Sequence, residues 1–221
     1  MLEADALNQY RDNENFTVAT SDPTSTRQIV LNTSTGILAD KNVRVALQHA
    51  TNKQAISEGI FYGLEPAADT LFAKTVPYCD IDLQPYAYDP ELAAQLLEEA
   101  GWTMGPGNVR QKDGQKLELG LLYNSDSVTE KAISEYLQSE YQAIGVTLNI
   151  HGEEEQSYRD NMKAGNFDMV FNICWGMPYD PQSSLAAMRA PVYGDYAAQL
   201  GLEDKAEIDQ AISQILISTD E

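Results

Sequence analysis

Residues 166–181 read NFDMVFNICWGMPYDP. Phe167 to Cys174 is an almost unbroken apolar run, the pattern of a strand buried on both faces. Gly176, Pro178 and Pro181 then break it, with Trp175, Tyr179 and Asp180 among them. A buried strand ending in an aromatic, proline-rich turn sets large rings at a sheet's carboxyl end, where ligands sit in open α/β sheets. The same residues also fit a core strand followed by an ordinary turn, with Trp175 plugging the interior.

On the N-terminal side, Val146, Leu148 and Ile150 alternate as one strand, and Leu117, Leu119 and Leu121 as another. Ser127-Val128-Thr129-Glu130 is a capping box opening a helix that buries Ile133, Leu137, Tyr141 and Ile144 and stops at Gly145. A short helix after Glu153-Glu154-Glu155 ends at Gly165. From residue 117 the order is therefore strand, helix, strand, helix, strand. This predicts an α/β lobe: a mixed sheet with helices packed against it.

Further upstream, Gln28–Asn32 reads as a short strand. Asp40 caps a helix to Thr51, and a second helix runs from Asn52 to Phe61. Residues 64–88 are irregular, and Asp89-Pro90-Glu91 opens a helix closed by Gly101. Residues 1–26 read as a polar lead-in segment. Downstream, 182–189 reads as helix, 190–198 as loop, and 203–217 as a helix with Ile208, Ile212, Ile215 and Leu216 inward.

The 221 residues carry 34 acidic and 14 basic side chains, a net charge of −20. Such a surface repels a phosphate backbone, which argues against nucleic-acid partners. No apolar run is long enough to span a membrane, and the acidic start lacks a signal-peptide core. Cys79 and Cys174 read as unpaired thiols in unlike settings. No phosphate-binding glycine loop, nucleophile elbow or zinc spacing is present, so nothing demands catalysis. His49 reads as structural. His151 with Glu153–Glu155 has metal-ligand types, but a helix start attracts carboxylates without a metal. The remaining chemistry is aromatic: Trp175, Tyr179, Tyr193 and Tyr196.

Three stretches together resemble a known family. ADKNVRVALQHATNKQAI (39–56), YDPELAAQLLEEAGW (88–102) and GNFDMVFNICWGMPYDP (165–181) resemble, in order, the signatures of the family 5 extracytoplasmic solute-binding proteins of peptide and nickel ABC transporters. ADTLFAKTVPY (68–78), HGEEEQSY (151–158) and WGMPYDP (175–181) are most similar to the nickel-binding branch.

The resemblance implies the second lobe of a two-lobed, class II periplasmic-binding-protein-like fold, with residues 1–221 as one lobe and 1–26 near the hinge. The first lobe and the C-terminal return would be missing. It implies an exported protein, lipid-anchored in Gram-positive bacteria, that hands a nickel chelate to an ABC permease without covalent chemistry or a cofactor. An oligopeptide or dipeptide carrier is the alternative, and a hydrolase or sensor domain a more distant one.

Trp175 and Tyr179 match second-lobe pocket residues of the nickel branch. Tyr193 falls where that branch has a histidine metal ligand, and tyrosine is a poor neutral ligand for such an ion. Tyr158 lies one position from a pocket tyrosine of the branch, and Arg189 is a candidate partner for an anionic chelator. Peptide binders carry an aspartate three residues after the tryptophan. Pro178 stands there, so a peptide ammonium would lack its counter-charge.

Overall fold

Side-chain caps fix where four of the described helices begin. Asp40 accepts from the Asn42 amide at 2.9 Å, Asn52 from Ala55 at 2.9 Å, Asp89 from Leu92 at 2.9 Å and Ser127 from Glu130 at 3.2 Å. The structure, a computed structural model, describes residues 4–11, 13–34, 36–175 and 181–219. In chain order the elements are α1 (Ala4–Arg11), β1 (Ser25–Leu31), α2 (Lys41–His49), α3 (Lys53–Phe61), α4 (Pro90–Glu99), β2 (Thr103–Met104), β3 (Arg110–Lys112), β4 (Gln115–Lys116) and β5 (Glu118–Asn124). They continue with α5 (Val128–Ala143), β6 (Thr147–Glu153), α6 (Glu155–Ala164), β7 (Met169–Trp175), α7 (Pro181–Ala187), α8 (Gly194–Gln199) and α9 (Lys205–Ile217).

The main sheet has the order β1-β7-β5-β6, with β5, β6 and β7 parallel and β1 antiparallel to β7. Both faces are covered. Leu119 and Leu121 of β5 and Met169 and Phe171 of β7 join the large core with Leu47, Leu97 and Leu137 of the helices. Val30, Leu122 and Val170 point the other way, to Tyr158 and Met162 of α6. Alternate residues of β7 thus enter two different cores, which is why its sequence reads as continuous apolar.

Several sequence expectations change. The apolar run is not buried throughout: Ile173 is 37% exposed. Pairing of β7 with β5 ends at Leu122↔Val170, whereas its ladder with β1 continues to Ser25↔Trp175. Residues 4–11 are helical rather than part of a featureless lead-in, and 194–199 is a helix rather than loop. Ile215 of α9 is exposed and Ile212 buried. Turns at 105–107 and 112–114 build a small antiparallel sheet, β2-β3-β4. Its second hairpin turns at Asp113 (φ 52°) and Gly114 (φ 80°), the left-handed pair a two-residue turn needs.

Glu130 does not complete the capping box. Its carboxylate turns to the Asn124 amide at 2.9 Å and ties the start of α5 to the end of β5. His49 is structural, with Nδ1 2.7 Å from the Ala87 carbonyl and its own carbonyl accepting from the Asp89 amide. Those two bonds hold the end of the 64–88 stretch against α2.

Candidate functional site

The strands β5 and β7 part company at their carboxyl ends. From β5 the chain leaves to α5 on the large-core face; α7 and α8 follow β7 on the other face. Adjacent parallel strands whose outgoing connections take opposite faces open a crevice at their carboxyl ends.

Ladder parity shows what faces that crevice. The Asn32 amide donates to the Asp168 carbonyl at 2.8 Å, so Asp168, Val170, Asn172 and Cys174 turn their backbone groups toward β1. Phe171 and Ile173 therefore turn theirs toward β5, whose pairing ends at Leu122↔Val170. The Tyr158 hydroxyl donates to the Phe171 carbonyl, replacing the lost ladder bond. The next pair up, the amide and carbonyl of Ile173, has no backbone partner on that side among the described residues.

Around the crevice stand Asn124 at the end of β5, with Glu130 and Glu155. Asn124 donates its side-chain amide to Glu155 at 2.5 Å. On β1, Arg27 lies opposite Ile173, paired with Glu65 at 3.3 Å and 5.5 Å over the Phe61 ring. Arg27 is the basic side chain on the strand beside β7. Sequence reading passed over it, because only the β1–β7 register brings it near Trp175.

The five residues chosen from sequence do not all meet. Trp175 ends β7 opposite Ser25 at the rim of the sheet, and its side chain lies outside the described residues. Tyr179 and Pro178 also lie outside them. Tyr158 is 7% exposed, and burial, then Glu130 and Glu155, push its phenol pKa upward. Its hydroxyl is engaged beneath the crevice and supports it from below. Arg189 is exposed after α7, with no side-chain hydrogen bond or ion pair among the described residues. Tyr193 is exposed at the start of α8.

Gly194 explains where Tyr193 sits. A Cβ there would meet Val170 at 3.0 Å and Val30 at 3.4 Å, so the glycine lets α8 lie directly on the β1–β7 pair. Asp195 then accepts from Gln28 at 2.9 Å and Asn172 at 2.6 Å. Asn172 is three residues below Trp175, about 10 Å along the strand. Tyr193 and Trp175 thus belong to one strand's neighbourhood without sharing its level.

Burial raises the Asp195 pKa, opposed by the Gln28 and Asn172 amides, and burial likewise raises that of Glu130, opposed by the Asn124 amide and Arg27. A raised carboxyl pKa means the folded state holds its proton to higher pH than the unfolded chain. The associated stability is complete below the unfolded value of about 3.9 for Asp and is lost as pH rises through the folded value. Asp195→Asn should therefore gain thermal midpoint relative to the native protein as pH rises from acid to neutral. A difference that stays constant with pH would refute this.

A cavity of about 380 Å³ lies elsewhere, along the outer edge of β1 between α2 and α8, lined by Gln28, Ile29, Leu31, Arg44 and Asp195 among others. Tyr158, Arg189 and Tyr193 do not line it. By the same parity, Ile29 and Leu31 turn their backbone groups to this open edge. Two carboxylates of the acidic run 153–155 are spent locally: Glu153 on Ser157 and Asn161, Glu155 on Asn124 and Arg159. No cluster of three or more metal-ligating side chains occurs among the described residues.

Residues 1–195 match the family described as bacterial extracellular solute-binding proteins, family 5, middle region. The nickel-binding periplasmic protein of Escherichia coli K12 is 38% identical over 222 residues, covering 100% of this chain and 42% of the relative. The dipeptide-binding protein of the same organism is 30% identical over 151 residues, covering 68% of this chain and 27% of the relative. Among solved structures, NikA from Brucella suis in complex with Fe(III)-EDTA is 42% identical with a TM-score of 0.94, covering 100% of this chain and 44% of that one. NikZ from Campylobacter jejuni in complex with Ni(L-His) shares the fold, at 22% identity and a TM-score of 0.80, over 99% of this chain and 44% of its own. The chain thus spans less than half the length of these relatives.

Proposed function

Since this chain belongs to the family 5 bacterial extracellular solute-binding proteins, we propose that it is one lobe of the binding component of an ABC importer whose cargo is a nickel chelate. The observation that carries the reading is the likeness to NikA of Brucella suis, 42% identical with a TM-score of 0.94 along the whole chain. The crevice at the end of β7 supports it, because the aromatic stretch that begins at Trp175 starts there.

Capture works by closing a second lobe over this crevice, with hinge motion and no bond made or broken. Trp175 stacks on the chelate, Tyr179 and Tyr193 hydrogen-bond to it, and Arg189 faces its carboxylates. Tyr158 holds the β7 side of the crevice in place. No cofactor takes part; the metal is cargo. The protein works outside the cytoplasm and passes its cargo to a membrane permease. No helix among the described residues is long and apolar enough to cross a membrane. The open β1 edge supports a larger sheet in the whole protein, since half-covered backbone groups at an edge call for a partner.

Peptide carriage is the second reading, supported by 30% identity to a dipeptide-binding protein and opposed by Pro178 at the position of the ammonium-binding aspartate. Calorimetry on the full-length protein separates the two, using nickel alone, nickel with histidine, Fe(III)-EDTA and short peptides. Chelates should bind saturably; saturable binding of peptides alone would overturn the assignment. Trp175→Ala should weaken chelate binding about tenfold, the loss of roughly one aromatic contact of 1.4 kcal/mol, without a change in thermal midpoint. Unchanged affinity would remove Trp175 from the site.

A further inference from the structure

The β1–β7 register sets a cation beside the crevice, held by a partner it can give up. By the parity fixed at Asn32 and Asp168, Thr26↔Cys174 and Gln28↔Asn172 exchange backbone hydrogen bonds, and Arg27↔Ile173 does not. Side chains of such a pair lie closest across a ladder. The Arg27 stem therefore runs against Ile173, the exposed residue whose backbone groups face the gap beside β5.

The guanidinium lies 5.5 Å from the centre of the Phe61 ring, at the end of α3. That helix packs on α5, which leaves the end of β5. Arg27 thus reaches from the β7 side of the crevice toward its β5 side. Glu130 at the start of α5 feels it, since Arg27 opposes the rise that burial gives the Glu130 pKa.

The hold on Arg27 is loose. Its Nε and Nη2 donate to Glu65 at 3.3 and 3.4 Å, well beyond the roughly 2.7–2.9 Å of a tight charge-assisted bond. Its other N–H groups have no hydrogen-bond acceptor among the described residues. Arg44 and Arg110, in contrast, each donate to two backbone carbonyls at 2.7–2.9 Å and are committed to the fold. The Arg27 side chain is 28% exposed and that of Glu65 47%. Parting them returns Glu65 to water, and an ion pair this exposed contributes little.

We propose that Arg27 is a carboxylate anchor of the crevice: it exchanges Glu65 for a carboxylate of the cargo, so anionic chelates are bound in preference to neutral ones. That the cargo is a chelate is the reading given above; its charge class is what Arg27 adds. A chain of net charge −20 repels an anion, so a local cation has to select it. The planar fork of a guanidinium matches a carboxylate in two parallel hydrogen bonds, which a phenol or a single amide cannot offer. Glu65 holds that fork until a better-placed carboxylate displaces it.

Calorimetry on the full-length protein with two probes tests this. Fe(III)-EDTA carries a net negative charge, whereas nickel bound by two histidinates is neutral. Arg27→Gln should weaken Fe(III)-EDTA binding about 10–100-fold and leave the nickel–histidine affinity within about twofold. Arg27→Lys should recover part of the loss. Glu65→Gln frees the guanidinium and should tighten Fe(III)-EDTA binding about two- to fivefold. Equal loss of both chelates in Arg27→Gln, no loss of either, or weaker Fe(III)-EDTA binding in Glu65→Gln would each overturn the proposal while leaving the cargo reading in place. A native protein that binds neither chelate would sink both.

Discussion

Gly201→Ala is expected to unfold the protein or lower its stability by about 3 kcal/mol or more, the upper range for overpacking a filled site. A Cβ at Gly201 would lie 1.8 Å from the Thr33 carbonyl oxygen and 2.5 Å from its carbon. The obstacle is backbone on both sides, so no rotamer change relieves it. The contact is also bonded: the Gly201 amide donates to the Thr33 hydroxyl at 2.9 Å, and that hydroxyl lies 3.0 Å from the Ala198 carbonyl it donates to. Thr33 is 4% exposed and follows β1, so this one junction fixes the end of α8 to the strand that carries Arg27. For a chain of this size the loss corresponds to a drop of about 6–12 °C in thermal midpoint. A variant that melts within two or three degrees of the native protein would show that the junction moves freely.

Arg110→Ala is the second large effect, about 2–6 kcal/mol, the cost of leaving two buried carbonyls without a donor. Arg110 is 3% exposed. Its Nε donates to the Ile144 carbonyl at 2.8 Å and Nη1 to the Trp102 carbonyl at 2.7 Å, while Glu98 at 3.4 Å supplies the counter-charge. Ile144 is the C-cap of α5, and Trp102 follows the end of α4. One guanidinium thus satisfies carbonyls left over at the ends of two helices, a task for which a single ammonium lacks the fork geometry. Arg110→Lys should recover only part of the stability. Denaturant unfolding checks both; an alanine variant within 1 kcal/mol of native would mean that water replaces the guanidinium without cost.

The outcome at the crevice differs in kind. Phe167 to Cys174 is legible as a buried strand because its residues are apolar on both parities, and the β7 pairings agree for Met169 to Phe171. Ile173 is just as apolar, yet it is exposed. Nothing in residue type records that the β5 ladder stops at Val170 and that Tyr158, thirteen residues earlier, caps the next carbonyl. The family resemblance puts Tyr158 one position from a pocket tyrosine, whereas packing sets it beneath the crevice. Arg27 is not legible in the sequence for the converse reason, since its neighbours Ile173 and Phe61 are distant in the chain.

Local chemistry alone determined the helix starts at Asp40, Asn52, Asp89 and Ser127 and the alternating strands. Each depends on spacings of a few residues, where caps and periodicity act. Only the tertiary structure decided which strand ends separate, which backbone groups are left facing the gap, and that Thr33 and Gly201 or Arg110 and Ile144 share one contact. Those outcomes depend on ladder register and on close approach between segments far apart in the chain, and a residue's identity carries no information about what the fold will set beside it.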